Sequence, residues 1–218
     1  MRERNGHLNW WPGETPFEVC VGAILTQNTA WRNVEKAIAN LRAAEALAPE
    51  PLYALPEQRL SELIRPAGYF NVKARRLRSF LRLLVEEYGC DLAKLMRGDT
   101  SAVRARLLAV NGIGPETADC MLLYAADHLS FVIDAYTKRI FARHGWCEPE
   151  ADYHQLQAVC AAALSEKPLP ERQDYWRDYH AQLVMVGKDF CRKNGAACER
   201  CPLRALHPPN WCPAPTRE

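Results

Sequence analysis

The chain has 218 residues, 48% of them hydrophobic and 25% charged, enough apolar material for one large core or two small ones. With 28 Lys and Arg against 26 Asp and Glu the net charge is only +2, so bulk charge announces no nucleic-acid partner. No apolar run reaches the roughly 20 residues that span a bilayer, and Met1 to Gly6 carries charges with no apolar stretch behind them; a cytoplasmic, non-membrane and monomeric globular protein is expected.

In chain order, apolar residues recur at helical spacing almost everywhere. Phe17 to Leu41 places Val21, Ile24, Leu25, Val34, Ala37, Ile38 and Leu41 on one face. The same period marks Leu52–Leu63, Val72–Tyr88, Leu92–Met96, Ser101–Val110, Pro115–Ala126, Ala135–His144, Tyr153–Ser165 and Asp174–Val186. Breakers separate them at Pro12-Gly13, Pro49–Pro51, Pro66 to Gly68, Gly112 to Gly114, Pro149 and Lys167–Pro170. No convincing pair of alternating strands is found, so the class is all-α. Basic residues gather locally, at Lys73, Arg75, Arg76 and Arg78, at Lys138, Arg139 and Arg143, and at Arg192 and Lys193. Such groups suit either a solvated helix face or a phosphate contact.

Two features carry chemistry. In Leu107–Asp119 a helix runs into Asn111-Gly112-Ile113-Gly114, and Pro115 opens the next one. Two glycines two apart allow a tight turn and close approach of backbone to a ligand. The amides of Gly112 and Gly114 and the following helix N-terminus suit a phosphate, although a plain αα-hairpin with a glycine cap has the same pattern. The second feature is Val132-Ile133-Asp134, one helix later, whose aspartate is either an N-cap for the helix from Ala135 or a buried reactive carboxylate.

Together, Val110-Asn-Gly-Ile-Gly114 and Ile133-Asp134-Ala135 resemble the hairpin and the following aspartate of the helix-hairpin-helix (HhH-GPD) DNA glycosylase superfamily, nearest its endonuclease III-like 3-methyladenine branch. The resemblance runs from about Trp10 to Cys201. It implies two helical domains flanking a DNA-binding cleft, one of residues 16–131 with the hairpin, the other joining 1–15 to 132–218. It implies a base-excision-repair glycosylase that flips a damaged base out of double-stranded DNA, with Asp134 stabilising the charge that develops on the sugar. Members that also nick the strand carry a lysine two residues after the second hairpin glycine; here that position is Glu116, which implies a monofunctional enzyme. Lys138, one turn past Asp134, is read as a phosphate contact.

The resemblance extends to Ile24–Trp31, whose Gln27 matches the family's glutamine that plugs the emptied stack, and to Gly68–Ala74, whose Tyr69 is the candidate wedge and whose Lys73 and Arg76 are expected to meet the DNA backbone. Trp10, Trp11, Pro12 and Trp31 resemble an aromatic pocket for a cationic, alkylated purine such as 3-methyladenine, which a tryptophan face attracts by about 0.5–2 kcal/mol. Without that resemblance the tryptophans read equally as core packing. Endonuclease III-like glycosylase/lyase action on oxidised pyrimidines and a non-catalytic damage sensor remain the alternative functions.

Nine cysteines with no secretory signal argue against a disulfide framework, and four of them crowd the end: Cys191, Cys198, Cys201 and Cys212. The spacing C-x6-C-x2-C resembles the first three ligands of the family's [4Fe–4S] loop. The fourth family position is His207, so Cys212 is expected as the fourth ligand and His207 as the alternative. Zinc is the other metal such a Cys/His set could take.

Overall fold

A computed structural model of the chain describes residues 1–10, 13–166 and 168–207, the side chains of 169 and 170 excepted. Its described residues are helical apart from a minimal ribbon. The α-helices are α1 (Arg2–Asn5), α2 (Pro16–Leu25), α3 (Trp31–Ala43), α4 (Pro49–Ala54), α5 (Glu57–Leu63), α6 (Phe70–Arg82), α7 (Leu92–Leu95), α8 (Thr100–Leu108), α9 (Pro115–Ala125), α10 (Ala135–Arg143), α11 (Tyr153–Ala163) and α12 (Leu169–Asp189). The ribbon pairs β1 (Cys191–Arg192) with β2 (Gly195–Ala196), antiparallel, Cys191 opposite Ala196. No described helix is long and apolar enough to cross a membrane.

Local chemistry sets the helix starts. Thr15 caps α2, accepting from the Glu18 amide at 3.1 Å, with Pro16 at the first helical position. Asp152 and Gln155 close a reciprocal capping box on α11. The expected long segments divide where the backbone demands it. Phe17–Leu41 breaks between Leu25 and Trp31, where Asn28 takes a left-handed φ of 54°. Leu52–Leu63 divides at Pro56, whose ring cannot continue a helix from the preceding turn. The segment to Tyr88 ends in a π-turn, Leu83–Glu87.

The chain forms two compact units, Trp11–Ser130 and a second made of Met1–Trp10 with Phe131–Glu218. In the first, α2 is buried from Phe17 through Leu25 and packs against α9 and α6. A helix apolar on every side belongs inside a core. A buried ion pair ties the hairpin's helices together: Arg104 of α8 donates from Nε and Nη2 to Asp119 of α9 at 2.8 and 3.1 Å, and Ser130 Oγ donates to the same carboxylate at 2.5 Å.

In the second unit α10 packs on α12, closest at Gly187, where an added Cβ would lie 2.3 Å from Tyr136 Cδ1. The N-terminal segment is strapped along one stripe of α12 at four-residue spacing. Asp174 pairs with His7, Asp178 accepts from the Leu8 amide at 2.8 Å, and Gln182 accepts from Asn5 and donates to the Gly6 carbonyl, each at 2.8 Å.

Replacing Asp119 with alanine leaves Arg104 facing an uncompensated site. A loss of about 3 kcal/mol in urea unfolding free energy is expected, at unchanged m-value.

Candidate functional site

In the unit Trp11–Ser130 the hairpin is held from below. Gly112 sits at φ 89°, and a Cβ there would lie 2.2 Å from Arg76 Cγ, so glycine is required by both backbone and space. The Gln27 side-chain amide donates to the Gly112 carbonyl at 3.0 Å and to Thr117 Oγ1 at 2.9 Å, while Arg76 donates to Gln27 Oε1. Gln27 therefore joins the end of α2 to the turn and the second helix of the hairpin. Gly114 is exposed, in extended backbone, as the N-cap of α9. Glu116 is exposed in the first turn of that helix.

The turn before α6 divides its expected residues. Tyr69 is 72% exposed and takes φ 45°, ψ 33°, a left-handed conformation costly for a bulky side chain. Lys73 does the reverse of what was expected. It is only 1% exposed, and its ammonium donates to the carbonyls of Leu25 and Ala67, each at 2.8 Å. Those carbonyls lie at helix ends that lack onward partners, so Lys73 is a strut between α2 and the turn rather than a phosphate contact. Burial, and then the nearby Arg76 charge, lower its pKa to about 8. Arg76 is likewise committed to Gln27.

The unit containing Phe131–Glu218 holds Asp134. The residue is the N-cap of α10, and Oδ1 accepts from the Thr137 amide at 2.7 Å. Oδ2 lies 3.6 Å from His180 Nε2 of α12. Both side chains are buried. Burial works to raise the Asp134 carboxyl, but the nearby His180 and then the Thr137 amide outweigh it and hold its pKa below the ordinary carboxylate value. The carboxylate at this helix N-terminus is thus anionic at neutral pH, and the helix dipole favours that charge. Lys138, four residues on, is half-exposed.

Cys191, Cys198, Cys201 and His207 line one pocket with Arg143, His144, Val186 and Phe190. Two arginines of α10 brace its rim. Arg139 Nε donates to the Cys191 carbonyl at 2.7 Å; Arg143 Nη1 donates to Cys191 Sγ at 3.3 Å and to the Arg192 carbonyl at 2.8 Å. The His207 ring stacks on buried His144 at 4.3 Å and 7°. Burial, then the adjacent thiols of Cys201 and Cys191, push the Cys198 thiol up, and burial raises Cys201. Among the described residues no three such side chains already converge on a single ion position. Cys212 lies outside the described residues.

Trp10 is half-buried in the N-terminal strap and Trp31 half-buried at the first position of α3; Trp11 and Pro12 lie outside the described residues. Sequence reasoning missed His180 and the arginine braces, because spacing along a chain does not tell which helix of a unit will face Asp134. A histidine breaking the apolar run Ala181, Leu183, Val184 was the one available sign.

Comparison with known proteins agrees with this architecture. Residues 21–166 match the HhH-GPD superfamily of base excision DNA repair proteins. A candidate DNA repair glycosylase of Methanocaldococcus jannaschii is 48% identical over 201 residues, covering 91% of this chain and 88% of that protein. Endonuclease III of Thermotoga maritima is 30% identical over 189 residues, 87% of this chain and 81% of its own. Among solved structures, a non-covalent endonuclease III–DNA complex superposes with TM-score 0.75 at 21% identity, covering 94% of this chain and 89% of its own. The 3-methyladenine DNA glycosylase of H. pylori, bound to 1,N6-ethenoadenine, gives TM-score 0.68 at 29% identity, with 82% and 87% covered. The chain belongs to the HhH-GPD superfamily: it is a DNA N-glycosylase of base excision repair.

Lys73→Met should cost about 1–3 kcal/mol, since two carbonyls lose their donor. The folded-state pKa of Lys73 lies below its ordinary 10.5, so the unfolded chain binds more protons between about 8 and 10.5. Wild-type stability measured against Lys73→Met should therefore rise across that interval. A difference independent of pH there would contradict the buried-ammonium assignment.

Proposed function

We propose that this enzyme is a monofunctional glycosylase that flips a damaged base, an alkylated purine such as 3-methyladenine, out of double-stranded DNA and releases it by hydrolysis. Glu116 carries the reading. It occupies the exposed first turn of α9, where the resemblance implies the lyase lysine in strand-nicking members, and a carboxylate cannot form a Schiff base with the sugar. Base and abasic DNA are then the products, and the strand stays intact.

As the N-glycosidic bond breaks, positive charge grows on the deoxyribose. Asp134, anionic and held by the Thr137 amide, would stabilise that charge and orient or deprotonate the attacking water. A purine methylated on a ring nitrogen is already a cation and a good leaving group, so the aromatic faces of Trp10, Trp11 and Trp31, with Pro12, would supply selectivity rather than activation. The likeness to the H. pylori 3-methyladenine glycosylase supports this substrate class. Gly112, Gly114 and the α9 N-terminus, with Lys138, would meet phosphates. Tyr69, exposed and strained, suits a wedge, and Gln27 as a plug would exchange its present bonds to the hairpin for exposed base edges.

The donor chemistry of the cysteine pocket fits a [4Fe–4S] cluster held by Cys191, Cys198, Cys201 and either Cys212 or His207. Three thiols and an imidazole share that one pocket, the donor set the family's cluster loop uses, and zinc is the other metal that set suits. The cluster's part is to hold the loop after α12 in shape. A second reading, endonuclease III-like action on oxidised pyrimidines with strand cleavage, draws on the Thermotoga maritima relative.

Borohydride reduction during turnover should trap no covalent enzyme–DNA adduct; an adduct would reinstate the lyase. In a release screen over 3-methyladenine, 7-methylguanine, hypoxanthine, uracil and thymine glycol, the alkylated purines should lead. Asp134→Asn should slow release by about 10²-fold or more. A wild type that binds duplex but frees none of these bases would make the chain a damage sensor. Purified protein should be brown and contain iron and acid-labile sulfide; colourless, zinc-loaded protein would refute the cluster.

A further inference from the structure

A second buried polar side chain, from another helix, faces Asp134. His180 projects from α12, is 3% exposed, and places Nε2 3.6 Å from Asp134 Oδ2. Its ring meets the Phe131 ring edge-on, with centroids 6.5 Å apart at 88°. The proposed reactive carboxylate is thus within reach of this buried imidazole.

We propose that His180 is the positioning residue of the reaction: with the Thr137 amide on Oδ1 and the imidazole beside Oδ2, the carboxylate of Asp134 is clamped at two points and presents one defined face to the sugar. This rests on Asp134 acting as read above. An aspartate held only through its N-cap bond keeps freedom about its last torsion, which is broad and nearly two-fold. A second contact removes that freedom. At 3.6 Å the contact is longer than a hydrogen bond; such contacts in unliganded sites tighten when substrate excludes water.

The test uses His180→Phe, which keeps ring volume without a donor, and His180→Gln, which keeps a donor that cannot titrate. DNA treated with dimethyl sulfate is the substrate, with released bases measured under single-turnover conditions from pH 5 to 9. His180→Phe should lose about 10- to 100-fold in rate, with affinity for a duplex bearing a tetrahydrofuran abasic analogue unchanged. His180→Gln, which restores a donor, should recover part of that rate. A wild-type rate in His180→Phe, or no recovery in His180→Gln, would overturn the proposal. If His180→Phe does not fold, as judged by thermal melting, His180→Gln decides. The two readings fail separately. Undiminished release by Asp134→Asn sinks the catalytic aspartate, whereas inactive Asp134→Asn beside fully active His180→Phe sinks only the clamp.

Discussion

A negative charge kept inside a helical core is the constraint around which the Phe131–Glu218 region is arranged. Asp134 is ionised although burial opposes ionisation. The fold answers with the α10 N-terminus, where the Thr137 amide would otherwise lack a partner, and with His180 from α12. One residue thereby starts a helix and holds the buried charge to which we assign the reaction. The close passage of α12 past α10 at Gly187 belongs to the same arrangement, since a larger residue there would meet Tyr136. Strapping of the N-terminal segment along Asp174, Asp178 and Gln182 holds the other side of α12.

Basic residues show how a local cluster can mislead. Lys73 and Arg76 sit in a run that suggests phosphate binding, but one ammonium is enclosed by two helix-end carbonyls and one guanidinium is spent on Gln27. Arg139 and Arg143 brace the loop that bears Cys191. Long cationic side chains are suited to such work, because each can satisfy several carbonyls left over at helix ends.

The helical class and most element positions were legible because amphipathic period, proline and glycine act over a few residues. Divisions at Pro56 and Asn28 were harder, since the apolar pattern continues across them while the backbone does not. Gly112 was legible as a turn but not as the floor on which Arg76 packs. Asp134 could be singled out from its place after the hairpin, whereas His180, 46 residues later in the numbering, carries no local mark that links it to that aspartate.

By itself the sequence determined the all-α class, the hairpin, the aspartate that follows it, the glutamate in place of a lysine and the thiol-rich end. These depend on residue type and short spacing, which a chain carries whatever its surroundings. Only the tertiary structure decided that Lys73 points inward, that Gln27 is bonded to the turn and second helix of the hairpin, that three cysteines and His207 share a pocket, and that His180 faces Asp134. Each of these joins residues from different helices. Which faces of those helices meet is settled by how the whole core packs.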